Sequence, residues 1–159
     1  MLIVNTAISG TGINAFIPGQ SGFTHMKDYW TDAISKIDTD NFNVSIKSYL
    51  WIQGESDANL SVSAYCGAFV KMNDALTDPN GDFKLKSAIF SQVRKASSEN
   101  AAEAQAYLVT VWPNVYMGTE IAQTFTEANG LLRDDDLHYT QAGYNKIGVD
   151  LANFAASHQ

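Results

Sequence analysis

The chain has 159 residues, of which 45% are hydrophobic and 17% charged, and these proportions are typical of one soluble globular domain. Its formal net charge is −7 and it holds only 10 Lys and Arg residues, scattered along the chain, so it lacks the clustered basic surface of nucleic-acid-binding proteins. No apolar run approaches the ~20 residues that span a bilayer, and we therefore expect neither nucleic acid nor membrane as a partner.

Strands and helices are predicted to alternate along the chain, because short apolar runs alternate with runs at helical spacing. The glycine-rich stretch at residues 8–24 is predicted to be a long loop, and Thr24 is the expected cap of the helix that follows. The predicted strands are residues 2–7, 44–52, 85–93 and 115–121, and the predicted helices are residues 26–37, 62–76, 98–112 and 140–156.

This alternation predicts βαβ units, and hence an α/β fold with a parallel sheet and helices on both of its faces. In such sheets the site lies beyond the carboxyl ends of the strands. Three informative loops are expected there, at residues 8–13, 53–58 and 133–138.

The third loop contains an Asp-x-x-His pair, Asp135 and His138. A carboxylate at this spacing can bind one ring nitrogen of the histidine and leave the other free to act as a base. His25 and His158 are interpreted as structural. The chain has no HExxH motif and no second histidine near His138, so no metal is predicted.

The second loop begins with Gln53, whose side-chain amide could donate to a developing oxyanion. Two acidic residues follow it. Glu55 and Asp57 could serve in acid/base or metal chemistry, or Glu55 could brace the loop while Asp57 precedes or caps the next helix. Composition favours the second, structural reading.

The first loop, Ser9-Gly10-Thr11-Gly12-Ile13, can aim backbone N–H groups at an anion. It is not a nucleotide site, because neither GxxxxGK[ST] nor GxGxxG is present. An oxyanion hole fits it better, and an ordinary tight turn is the alternative.

Three segments resemble the SGNH (GDSL-like) hydrolases, specifically their sialate O-acetylesterase-like carbohydrate esterase branch. They are NTAISGTGI at residues 5–13, WIQGESDA at residues 51–58 and DDLHYTQAG at residues 135–143. The resemblance implies a three-layer flavodoxin-like fold and removal of acetyl esters from sugars through an acyl-enzyme, without metal or other cofactor.

The resemblance also implies a role for each matching residue. His138 would be the general base and Asp135 its orienting carboxylate. Gly10 would offer a backbone N–H and Gln53 a side-chain donor to the oxyanion. Glu55 and Asp57 would be structural parts of their loop, and acetylated carbohydrate would be the substrate.

The nucleophile of this family is a serine in a GDS or GQSN motif that follows a first strand. That strand precedes the segment resembled here by residues 5–13, so we expect residues 1–159 to form a single SGNH-like domain that lacks the usual first strand. An N-terminal segment or another chain would complete its sheet. Within the chain, Ser21 in Gly-Gln-Ser is one candidate nucleophile, although Gly22 follows it where the family has Asn, and Ser9 is another.

The alternative function is a catalytically silent sugar-binding or structural module on the same scaffold. Residues 1–7 are too short and too poor in positive charge for a secretory signal, so we expect no signal peptide within this chain, and export stays open. An extracellular or virion-associated location fits either function, but the sequence leaves the location open.

Overall fold

A computed structural model describes residues 3–37 and 48–158 of the chain. The described part holds three strands and four α-helices. The strands are β1 (Ser48–Ile52), β2 (Ser87–Ser91) and β3 (Val115–Thr119), and the helices are α1 (Ser21–Ser35), α2 (Val62–Thr77), α3 (Glu99–Val111) and α4 (Gln141–Ser157).

The three strands form one parallel sheet in the order β1-β2-β3. Its central strand, β2, is buried from Ala88 to Ser91, as expected for a strand with a neighbour on each side. Trp51 pairs with Phe90 and Ile52 with Ser91, so the loops after β1 and β2 leave the sheet side by side.

Helices cover both faces of this sheet. Phe90 belongs to a core shared with α2 and α3, where its ring lies 4.9 Å from that of Phe69. Ile89 points to the opposite face and packs with Ile147 and Leu151 of α4. The three-layer, flavodoxin-like α/β fold predicted for the chain is therefore confirmed.

Most elements lie where apolar spacing predicted them, although β2 and β3 are shorter than predicted. The predicted strand at residues 2–7 is wrong as far as it is described, because residues 3–7 form no strand and Ile3 is 72% exposed. A short apolar run becomes a strand only where a neighbouring strand pairs with its backbone. Residues 44–47 of the second predicted strand lie outside the described residues.

The first helix begins earlier than Thr24, which was wrongly expected to cap it. It starts at Ser21, because Gly22 allows a close approach to Ala15, whose carbonyl oxygen would lie 2.7 Å from a Cβ at position 22. Thr24 lies inside the first turn and its hydroxyl donates to the carbonyl of Gln20.

No helix among residues 3–37 and 48–158 is long and apolar enough to cross a membrane.

Gly54 lies two residues after β1 and has φ of +143°, in a region that only glycine adopts readily, and a Cβ there would lie 2.9 Å from Val93. We expect Gly54→Ala to lower the free energy of unfolding by about 2–3 kcal/mol through backbone strain and this contact. Urea unfolding followed by circular dichroism measures the change.

The matched control is Gly67→Ala on α2, where a Cβ meets no atom within 4 Å. Alanine there should leave stability unchanged or raise it by up to ~1 kcal/mol, because it favours helix. Equal stability of the two variants would contradict the strain assigned to Gly54.

Candidate active site

The glycine loop is held by a buried carboxylate. Both oxygens of Asp57 accept from the backbone N–H of Ile13, at 3.0 and 3.1 Å. A Cβ at position 12 would lie 2.7 Å from Asp57 Oδ1, so Gly12 allows this approach. Asp57 was expected to precede or cap the next helix; it precedes α2, but the cap is Ser61, whose hydroxyl accepts from Ala64 N–H.

Gln53 lies between the glycine loop and the core. Its side-chain nitrogen donates to Asp57 Oδ2 and, at 3.3 Å, to the carbonyl of Thr11. Its side-chain oxygen accepts from the hydroxyl of Tyr65 at 3.1 Å. Sequence reasoning placed Gln53 beside the glycine loop, and the structure brings the two together, with both amide hydrogens of Gln53 occupied.

A buried polar network fixes this orientation of Gln53. Gln105 is fully buried on α3 and its side-chain nitrogen donates to the carbonyl of Gln53 at 2.7 Å and to Tyr65 Oη at 2.9 Å. Trp51 Nε1 donates to the same hydroxyl, and burial raises the pKa of Tyr65 well above its ordinary value. The Tyr65 phenol therefore stays neutral and its single proton is directed at Gln53.

The Asp135–His138 pair forms as its spacing predicted. Asp135 Oδ2 lies 2.7 Å from His138 Nδ1, while Oδ1 accepts from the backbone N–H groups of Leu137 and His138. An Nδ1–H donated to this carboxylate leaves Nε2 as the acceptor of the neutral ring. Both side chains are about half exposed, so Nε2 is open to solvent or substrate.

The contacts around Asp135 lower its pKa. The backbone N–H of His138 contributes most, followed by the N–H of Leu137 and the imidazole of His138. All three stabilise the ionised carboxylate, so Asp135 stays charged well into the acid range.

Two further contacts join this turn to the sheet edge, and sequence reasoning missed their two donors, Arg94 and Tyr139. Arg94, in the loop after β2, donates to Asp136, and the hydroxyl of Tyr139 donates to Glu55 Oε1 at 3.3 Å. The sequence signal for Arg94 was its position just beyond the carboxyl end of a strand, since β2 ends three residues before it.

The two candidate nucleophiles make no hydrogen bond to His138. Ser21 is the exposed first residue of α1, and Ser9 is exposed in the glycine loop. Among residues 3–37 and 48–158, no hydroxyl makes a hydrogen bond to the His138 ring. The same ranges contain no group of three or more His, Cys, Asp or Glu residues that could hold a metal ion.

A family model decides what kind of protein carries this geometry. Residues 1–157 match the carbohydrate esterases described as sialic acid-specific acetylesterases. The chain belongs to this family. The resemblance noted from the three sequence segments is thereby confirmed, and acetylated carbohydrates become the expected substrate class of the family member described here. No curated protein and no solved structure matches the chain.

Asp57 supplies a test of the loop geometry. We expect Asp57→Asn to lower the free energy of unfolding by about 2 kcal/mol, because an amide cannot accept at both positions and hydrogen bonds to a charged group are worth about that much. Asp28→Asn, on the exposed surface of α1, is the matched control and should cost less than ~0.5 kcal/mol. Equal losses would show that the buried contacts contribute nothing.

Asp135 supplies a test by pH. Because its folded-state pKa is lowered, it stabilises the fold above the unfolded-state pKa of ~3.9, and this stabilisation is lost as the pH falls through the lower folded-state pKa. In a ¹³C NMR titration, the carboxyl signal of Asp135 in the folded protein should titrate with a midpoint at lower pH than the same signal in the urea-unfolded protein. Coincident midpoints would contradict the hydrogen bonds assigned to it.

Proposed function

We propose that this chain supplies the base and the oxyanion donors of a serine esterase that removes acetyl groups from sugars through an acyl-enzyme. One observation supports the proposal: in a chain of the acetylesterase family, Asp135 Oδ2 lies 2.7 Å from His138 Nδ1, and Arg94 joins their turn to the loop after β2. The glycine loop and Gln53 lie at the carboxyl edge of the sheet.

The proposed reaction has two stages. A serine hydroxyl attacks the acetyl carbonyl while Nε2 of His138 takes its proton, and the proton then passes to the sugar oxygen as the ester bond breaks. A water attacks the acetyl-serine in the same way and releases acetate. Asp135 stabilises the imidazolium that forms in each stage.

Two donors are proposed for the oxyanion. Gly10 has φ of +66°, is exposed, and its N–H makes no hydrogen bond within the described part of the chain. Gln53 would contribute the amide hydrogen that now points to the Thr11 carbonyl, since that bond of 3.3 Å is long for its type. Its other hydrogen would stay on Asp57 and hold the side chain in place.

We propose that the serine comes from a strand that pairs with the open edge of β1. Within residues 3–37 and 48–158, β1 pairs only with β2, and Leu50 and Ile52 are about half exposed. A parallel strand paired with β1 would have its carboxyl end beside that of β1, which directly precedes Gln53. The residue after that strand would then lie at the same carboxyl end of the sheet as the proposed site. An N-terminal segment or another chain could provide it.

A silent sugar-binding or structural module is the second candidate function. The observation that favours it is the absence of any hydroxyl bound to His138 among the described residues. It predicts binding of acetylated glycans without turnover.

Esterase activity tests the proposal directly. In the natural polypeptide that contains this chain, we expect hydrolysis of nitrophenyl acetate and of O-acetylated sialic acid, and His138→Ala should lower kcat by about 10²–10⁴-fold because the general base is lost. The matched control is His25→Ala, which removes the histidine of α1 and should retain full activity.

Equal activity in wild type and His138→Ala would overturn the role of His138. An inactive wild type that still binds acetylated glycan would establish the silent module instead. Retained activity in Ser21→Ala and Ser9→Ala is expected, and loss of activity in either would place the nucleophile within this chain.

A further inference from the structure

One buried cation reaches the turn that carries the base. Arg94 is only 8% exposed, and its guanidinium makes two hydrogen bonds to Asp136, through Nη1 to the backbone carbonyl at 2.9 Å and through Nη2 to the carboxylate at 3.1 Å. A buried charge is costly unless it is paired, so this contact accounts for the position of the guanidinium.

The residue that Arg94 holds adopts an unusual backbone conformation. Asp136 has φ of +55°, which a residue other than glycine rarely adopts. Its N–H donates to the carbonyl of Arg133 at 3.2 Å, and the N–H of Arg133 donates to the carbonyl of His138 at 2.8 Å. Asp136 thus lies at the tip of a closed turn, next to Asp135.

The turn has few other attachments to the rest of the protein. Residues 133–138 are all exposed, and the pair Leu132 and Tyr139 joins its two ends by an antiparallel bridge. Within the described part of the chain, Arg94 is the one side chain from outside the turn that makes a hydrogen bond to it. The tip of the turn is therefore positioned from the end of β2.

The tyrosine that directly follows the turn makes a second link to the sheet edge. Burial raises the pKa of Tyr139 well above its ordinary value, Glu55 raises it further, and Arg94 acts in the opposite direction. Tyr139 directly follows the turn, and its hydroxyl donates to Glu55 in the loop after β1 at 3.3 Å. The loop after β2 is therefore attached to residues 133–138 through Arg94, and the loop after β1 is attached to the next residue, Tyr139.

We infer that Arg94 is a positioning residue for the base of the proposed esterase. It ties the Asp135–His138 turn to the carboxyl end of the central strand, and so sets the position of His138 Nε2 against the sheet edge where the ester would bind. The inference rests on the proposed function. The planar guanidinium suits this role, because it binds the carbonyl and the carboxylate of Asp136 together, which an ammonium group does less well.

The experiment compares Arg94→Met, Arg94→Lys and Lys95→Met in the natural polypeptide that contains this chain. Arg94→Met should lower kcat by about 10–100-fold with KM within ~2-fold, because a misplaced base slows the chemistry and leaves substrate binding intact. Arg94→Lys should restore part of the loss. Lys95→Met removes an exposed neighbouring cation and should leave both constants unchanged.

A spectroscopic readout separates positioning from general stability and from the function itself. In ¹⁵N NMR, the His138 ring signals should be shifted or broadened in Arg94→Met relative to the wild type, because the turn loses its attachment to the loop after β2, while Lys95→Met should leave them unchanged. This readout does not need turnover, so an inactive wild type would sink the proposed function and leave the inference testable.

Three outcomes would overturn the inference. One is an unchanged kcat in Arg94→Met, another is a lower kcat with an unchanged His138 ring signal, and the third, for an inactive wild type, is an unchanged ring signal. If Arg94→Met does not fold, Arg94→Lys, which keeps the charge, is measured in its place. A kcat and a His138 ring signal equal to those of the wild type in Arg94→Lys would then contradict the inference.

Discussion

The candidate site depends on one buried carboxylate, that of Asp57. It binds the backbone of Ile13 in the glycine loop and the side-chain amide of Gln53, so two loops that are distant in sequence become one rigid unit. Gly12 makes this possible, because any side chain there would collide with the carboxylate. The oxyanion donors proposed for this protein are positioned by that contact.

The other half of the site is built from exposed residues and is attached at fewer points. Asp135 and His138 organise their own turn through short local hydrogen bonds, and this explains why their arrangement follows from spacing alone. Their position relative to Gln53 depends instead on Arg94 and on the contact between Tyr139 and Glu55. Local hydrogen bonds thus form the Asp135–His138 pair, and tertiary contacts set its position relative to the sheet.

Sequence reasoning predicted the features that depend on neighbouring residues. Apolar spacing located α2, α3 and α4 and the strands β2 and β3, and the βαβ rule placed the informative loops at one edge of the sheet. It failed where a partner distant in the chain decides. Residues 3–7 have strand composition but form no strand, and Asp57 precedes α2 as expected but binds the glycine loop, while Ser61 caps the helix. Gln105 belongs to no local pattern, and the one signal for Arg94 was its position just after β2.

In the proposed mechanism, His138 is a base that acts on a serine outside the described residues. Chemical labelling of that serine is the most direct test. The natural polypeptide that contains this chain would be treated with a fluorophosphonate and the modified peptide identified by mass spectrometry. The account predicts a label on a serine other than Ser9 or Ser21, with labelling much slower in His138→Ala. A label on Ser21 or Ser9, or labelling that is independent of His138, would contradict it.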